Sequence, residues 1–493
     1  MWSFADYVIA ILFQFVSRTV ILHVLGVAYL GLSSLFSSIL QVLNMTEMGF
    51  SSAVIYNLYQ PIANHDDEKV CALLAFYRKI YRIVGCVILG VGLVISPFLR
   101  SLIKDEVPAD INLYILYFLY LANTAVSYFV FAYKAALLNA LQRMDLTKIS
   151  YSIVHLAQCV FQLLAVLIFK NYYLFVVGTI IGTAFKNLLA AWFARKHYPQ
   201  FRSRGNITDE TKKDIWQRVK GLLIGKISGV TYTTFDSIIL SAMIGWTAVA
   251  IYNNYFTIYT AIASVIIMIR QAMQASVGNS VASETVEKNY RDVFKWQFLF
   301  SAIAIWCSAC LMCLYQPFMT LWMGEEMLLS IIDVVILSAL LAVSTVQHAF
   351  YLYLSGYGLW WNLRWPNILS TVTNLVLNIV LCRLWGITGI ILATLFAQFV
   401  FGLIWQCGIV FQTYFQTSPF AYYKKQFLYF TVGIGVCGVC YGICSAIPMD
   451  GVGGLILKGL VCAAVPPLLL LIAFMKTEAF AECRQILRYI LKK

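Results

Sequence analysis

Apolar runs of about twenty residues alternate with short polar breaks along the whole chain, and that is the length a helix needs to cross the hydrocarbon layer of a bilayer. Fourteen such segments are predicted. Six, near 4–25, 32–56, 80–103, 112–141, 148–169 and 172–194, precede the longest polar stretch, Arg195 to Lys220. Eight more follow, near 221–243, 248–282, 296–322, 330–356, 366–383, 386–410, 427–446 and 454–475. The first has neither a basic lead nor a small-residue cleavage pattern, so it is expected to be a span and not a cleaved signal peptide. The breaks are too short for an extramembrane catalytic domain, which weighs against a glycosyltransferase or polymerase.

Composition agrees with this pattern. Of 493 residues, 61% are hydrophobic and 12% charged, against roughly 25% charged in soluble proteins, and the mean hydropathy is +0.80. An all-α integral membrane protein is expected. A disordered regulator, a disulfide-stapled secreted domain and a nucleic-acid binder are excluded. The net charge of +13 is read as topology. Fourteen spans put both termini on one side, and with the termini in the cytoplasm 25 of the 35 Lys and Arg fall in cytoplasmic segments. Four fall outside, Arg100, Lys104, Lys170 and Arg383, and six lie within spans. Basic residues are retained on the cytoplasmic side of short loops, so the bias supports both the count and the orientation. Its expected partner is anionic lipid, not nucleic acid.

The two parts of the chain resemble each other. Thr19-Val20-Ile21-Leu22 leads to Gly26 and then Gly31-Leu32; Ser237-Ile238-Ile239-Leu240 leads to Gly245 and then Ala250-Ile251. Transporters are commonly built from such repeats. The expected organisation is a six-helix lobe over 1–195, a basic cytoplasmic linker over 196–220, a second six-helix lobe over 221–412, and two further helices with a basic cytoplasmic tail over 413–493.

Ionisable groups at mid-bilayer are costly, roughly 2.5 to 3.5 kcal/mol each on insertion scales, and normally face a cavity or a partner. Arg18, Glu47, Lys134, Asp236 and Arg270 are therefore the candidate site residues. The structural alternatives are an Arg18–Glu47 bridge and snorkelling of Glu47 and Lys134 to the interface. His155, Gln158 and Gln162 share one helix face, as do Asn374 and Asn378. Either set could bind sugar or tie helices together. Thirteen cysteines include the runs Cys307-x2-Cys310-x2-Cys313 and Cys437-x2-Cys440-x3-Cys444. Neither run has a nearby His or acid to complete a metal site, so helix packing is expected and no metal or cofactor. Proton or sodium coupling through Asp236 or Glu47 stays open.

These residues carry a family resemblance. Ser17-Arg18-Thr19-Val20, Leu25-Gly26, Tyr29-Leu30-Gly31-Leu32, Leu35-Phe36, Ile39-Leu40 and Glu47-Met48-Gly49 resemble the opening of bacterial polysaccharide transporters. So do Asp236-Ser237-Ile238-Ile239-Leu240-Ser241, Tyr252-Asn253-Asn254-Tyr255, and Asn374 through Asn378 before Gly386. Those transporters are lipid-linked oligosaccharide flippases of the multidrug/oligosaccharidyl-lipid/polysaccharide (MOP) superfamily. The resemblance implies a MATE-like bundle of two pseudo-symmetric six-helix lobes plus two C-terminal helices, working by alternating access and not as an enzyme. It implies a central cationic cavity in which Arg18 and Arg270, one from each lobe, meet the diphosphate of an undecaprenyl-linked sugar. A polysaccharide polymerase and assembly proteins are the implied partners, in a bacterial cytoplasmic membrane. Two alternatives are a cation-coupled multidrug exporter of the same superfamily and a membrane polymerase or ligase.

Overall fold

The computed structural model describes residues 2–44, 57–58, 61–105, 107–141, 143–213, 215–216, 234–447 and 451–491. Every regular element among them is helical. Eleven helices are long and apolar enough to span a membrane, and a twelfth span is the bent pair Leu113–Phe129 and Ala132–Ala140, whose halves meet at 47°. Leu12–Val24 and Thr234–Met243 are shorter apolar helices. Each of the fourteen predicted segments overlaps one of these, while 45–56 of the second and 221–233 of the seventh lie outside the described residues. The chain is a multi-pass membrane protein, and its apolar side chains face outward as lipid-facing residues do: Ile434 is 75% exposed and Phe427 73%.

The chain divides into two compact units, Met1–Ala250 and Ile251–Lys493. In the first, α1 (Trp2–Val24) and α2 (Val27–Asn44) are followed by α3 (Asp67–Ile95), α4 (Leu113–Phe129), α5 (Ala132–Ala140), α6 (Met144–Leu167), α7 (Tyr172–His197) and α8 (Thr234–Met243). The α4–α5 bend has a local cause, because Phe131 sits at φ +50°, a left-handed conformation that no helix continues through.

The two repeated turns close in the same way. Leu25 N and Gly26 N both bond Ile21 O, at 2.9 and 3.0 Å; Ile244 N and Gly245 N both bond Leu240 O, at 2.9 and 3.0 Å. Gly26 has φ +107° and Gly245 φ +137°, values that L side chains rarely adopt, so glycine is required at both. Residues 100–110, between α3 and α4, are bonded around these turns. Lys104 Nζ donates to Met243 O at 3.1 Å, Ser241 Oγ to Leu102 O at 2.8 Å, and Trp246 N to Asp105 Oδ2 at 2.7 Å. Tyr29 OH donates to Asp110. Gly31 packs so tightly on Trp246 that a Cβ there would collide with it.

In the second unit, α9 (Trp246–Ser283, which begins in the first) and α10 (Val286–Met323) are each 38 residues long. At 1.5 Å per residue that is about 57 Å, nearly twice a hydrocarbon core. The predicted polar loop near 283–295 is therefore helical for most of its length. It is held by Thr285 Oγ1 capping Lys288 N at 3.3 Å and by the ion pairs Lys288–Glu284 and Lys295–Asp292, both at 2.7 Å. Then follow α11 (Ile331–Val346), α12 (His348–Tyr357), α13 (Arg364–Trp385), α14 (Ile387–Phe415), α15 (Phe420–Ser445), α16 (Gly451–Phe474) and α17 (Glu478–Leu491). The last of these was expected only as a basic tail. It packs on α10 through Phe480 against Phe298 and through Cys483 Sγ, 3.7 Å from Lys295 O. Burial pushes the Cys483 thiol up to about 11.

Candidate functional site

In the first unit, Arg18 lies on α1 with its Nη2 buried and interacts electrostatically with Tyr172 of α7. Tyr172 OH is 2.9 Å from Tyr120 OH, and Tyr120 OH donates to Ser33 Oγ at 3.0 Å. Tyr29 packs edge-on against Tyr172, with ring centroids 5.2 Å apart. Four helices thus place one guanidinium among phenol hydroxyls and aromatic rings. These groups are uncharged hydrogen-bond donors and acceptors. Glu47, the predicted bridge partner of Arg18, lies outside the described residues.

In the second unit, Arg270 of α9 donates from Nη1 to Gln274 Oε1 at 3.4 Å, and Gln274 Nε2 donates to Leu352 O at 3.1 Å. Arg270 Nε is buried and meets no acceptor among the described residues. Tyr351 and His348 are within electrostatic reach of Arg270. Tyr351 OH donates to Gln406 Oε1 at 2.7 Å, and Gln406 Nε2 to Asn367 Oδ1 at 2.9 Å. Gln347 Nε2 reaches Gln398 O at 3.1 Å.

This polar track follows from irregular backbone. Within the span Ile331–Tyr357, Gln347 joins α11 to α12 with its backbone still in the right-handed helical region. α14 widens into π-turns over Gln398–Trp405 and Phe411–Phe415. Such π-turns recur at functional sites. Gln347, His348, Asn367, Gln398 and Gln406 were missed in the sequence. The available signal was several amide residues in otherwise apolar runs, which hydropathy averages away.

The other candidates are placed as follows. Lys134 Nζ donates to Phe201 O at 2.8 Å, which ties α5 to the segment after α7. His155 accepts from Lys186 Nζ at 2.9 Å, the ammonium being a donor only, which pairs α6 with α7. Gln158 Nε2 donates to Gln162 Oε1 at 3.3 Å, and Gln162 Nε2 to Thr179 Oγ1 at 2.8 Å. Asn374 Nδ2 donates to Thr394 Oγ1 at 3.1 Å and Asn378 Nδ2 to Asn374 Oδ1 at 3.2 Å. Gln162 thus joins α6 to α7 and Asn374 joins α13 to α14, while Gln158 and Asn378 bond along their own helices. Asp236 is fully buried on α8.

Comparison with known proteins follows from this geometry. Residues 1–273, more than half of the chain, match the family described as polysaccharide biosynthesis protein. The chain belongs to that family. No curated protein matches it in sequence. Among solved structures it is similar to an inward-facing multidrug resistance MATE family transporter of the MOP superfamily. The TM-score there is 0.68 at 14% identity, over 81% of this chain and 94% of that one. It is also similar to the lipid II flippase MurJ in an inward closed conformation, with TM-score 0.64 at 14% identity over 96% and 98% of the two chains. A MATE transporter of Vibrio cholerae gives 0.55 at 14% identity over 84% and 95%. At that identity the likeness is one of fold, and this member of the polysaccharide biosynthesis family has the MOP transporter fold.

Proposed function

We propose that the protein flips an undecaprenyl-diphosphate-linked oligosaccharide repeat unit from the inner to the outer leaflet of a bacterial cytoplasmic membrane, for cell-surface polysaccharide synthesis. The observation that carries this reading is the family match over residues 1–273, on a fold shared with a lipid II flippase. Arg18 and Arg270, one in each unit, contact the diphosphate as a pair. A guanidinium presents a planar fork that fits phosphate oxygens, and the phenols around Arg18 and the amides and imidazole around Arg270 offer further hydrogen bonds. The lipid tail stays in the bilayer while alternating access moves the sugar. Both termini are cytoplasmic, on the strength of the Lys/Arg bias. A polymerase and assembly proteins take the product outside.

Moving about two negative charges outward across an inside-negative membrane is favourable by roughly 2.3 kcal/mol per charge per 100 mV, so the potential alone biases export. Asp236 and Glu47 are the residues through which a proton or sodium ion would add to it.

Each arginine–phosphate pair contributes on the order of 1.5–3 kcal/mol, so Arg18→Ala and Arg270→Ala should each slow flipping about tenfold or more, and the double variant should abolish it. Flipping is read in proteoliposomes as protection of a fluorescent lipid-linked sugar from an external quencher, with folding checked by size exclusion. Unchanged flipping in the double variant refutes the diphosphate assignment. Drug resistance on overexpression, without any effect on flipping, would favour the multidrug exporter.

A further inference from the structure

Four cysteines from three helices of the second unit converge on one point: Cys313 of α10, Cys440 and Cys444 of α15, and Cys462 of α16. Their sulfurs all lie within 4.8 Å of one another. Cys313 Sγ is 3.7 Å from Cys440 Sγ, and Cys462 Sγ is 3.9 Å from Cys440 Sγ and 4.0 Å from Cys444 Sγ. None of the four is in a disulfide, and all are buried, between 0% and 4% exposed. The surroundings are otherwise apolar: Ala309, Leu314 and Val461 pack against the cluster.

We propose that this cluster is a structural site for a thiophilic ion of tetrahedral preference, zinc by chemical class. Zn–S bonds of about 2.3 Å around a tetrahedral centre set the sulfurs about 3.8 Å apart, and the three separations above bracket that value. Four points that are all mutually close cannot lie in a line or along one helix face. An ion held among them would meet four thiolates once the thiols deprotonate.

Spacing along the chain hides the site. Each cysteine run lacks a completing ligand, and the ligands are drawn from across the runs: Cys313 from the first, Cys440 and Cys444 from the second, and Cys462 from neither. A second feature points the same way. Loading one Zn²⁺ releases four thiol protons and leaves a centre of charge −2, which in an apolar interior needs a nearby cation. Lys458, one of the six basic residues inside spans, lies one helical turn before Cys462 on α16, and four residues apart puts both on one face. Cys444 Sγ is 4.0 Å from the Lys458 carbonyl. The centre would staple α15 and α16, the two helices beyond the second six-helix set, onto α10.

The test is made on the full chain, purified in detergent under reducing conditions, loaded with zinc and freed of loosely held ion. About one zinc per chain by elemental mass spectrometry is expected. Cobalt should replace it, with the red-region absorption and thiolate charge transfer of a tetrahedral sulfur site. Cys440→Ser and Cys462→Ala should each lower retained metal at least tenfold, while Cys382→Ser, a buried cysteine elsewhere, should not. Chelation should lower the melting temperature of the wild-type chain and leave that of Cys462→Ala unmoved. Three outcomes overturn the proposal: a folded wild-type chain that retains no metal, metal retention indifferent to both cluster substitutions, or recovery of the four thiols as disulfides. The first of these identifies the cluster as thiol packing only.

Discussion

Gly26 and Gly245 close equivalent turns but differ in what a side chain would meet. At Gly26, φ is +107° and nothing lies within 4 Å of an added Cβ. Gly26→Ala therefore measures backbone strain alone, on the order of 1–3 kcal/mol for a residue held in a sparsely populated region. At Gly245, φ is +137° and an added Cβ would press into the Asp105 carboxylate, 2.7 Å from Oδ1. Asp105 must then move, and it is the group that accepts from Trp246 N at 2.7 Å to cap α9. Overpacking adds about 1–3 kcal/mol, and disturbing a hydrogen bond to a charged acceptor adds roughly 1.5–3 kcal/mol. Gly245→Ala should thus be the more destabilising by at least about 1 kcal/mol. In an Asp105→Ala background the collision is gone, and Gly245→Ala should then cost no more than Gly26→Ala does. The coupling between positions 105 and 245 is read from a double-mutant cycle on thermal unfolding in detergent, followed by tryptophan fluorescence. Equal losses at Gly26 and Gly245, or a Gly245 effect that Asp105→Ala leaves untouched, would refute both the clash and the cap.

Other outcomes follow from single contacts. Asn374→Ala removes a hydrogen bond to each of Thr394 and Asn378, all three side chains being buried; it should lower thermal stability by about 1–3 kcal/mol while each surviving molecule still transports, measured as flipping per folded protein. Gln347→Leu leaves Gln398 without its donor and should reduce transport without lowering expression, as judged from flipping assays normalised by gel filtration. Cys483, its thiol raised to about 11 by burial, should react with maleimide at neutral pH on the order of a hundredfold more slowly than a free cysteine, scored by peptide mapping over time.

The spans were legible because their signal is additive: twenty apolar residues in a row outweigh any single exception, and the basic residues between them carry the parity. The turns at Gly26 and Gly245 were legible for a different reason, since a positive φ leaves glycine as the residue of choice. Lys288 and Lys295 misled, because charges that mark a loop in hydropathy can also sit on a helix that outruns the membrane when each pairs with an acid three or four residues before it. Gln347, Gln398 and Gln406 stayed hidden because a junction in one span acquires meaning only from the π-turns of another. The sulfur cluster was hidden in the same way: its members are neighbours in space and as much as 149 residues apart in the chain. Arg18 and Arg270 stood out in sequence by the cost of placing them in lipid, but the phenols and amides around them did not.

Residues 102–105 and Asp110 tie two turns to one short connection. Tyr29 anchors it beside the first turn, and Met243, Ser241 and Trp246 anchor it beside the second. An antibody fragment or macrocycle that gripped this connection would therefore restrain both turns together.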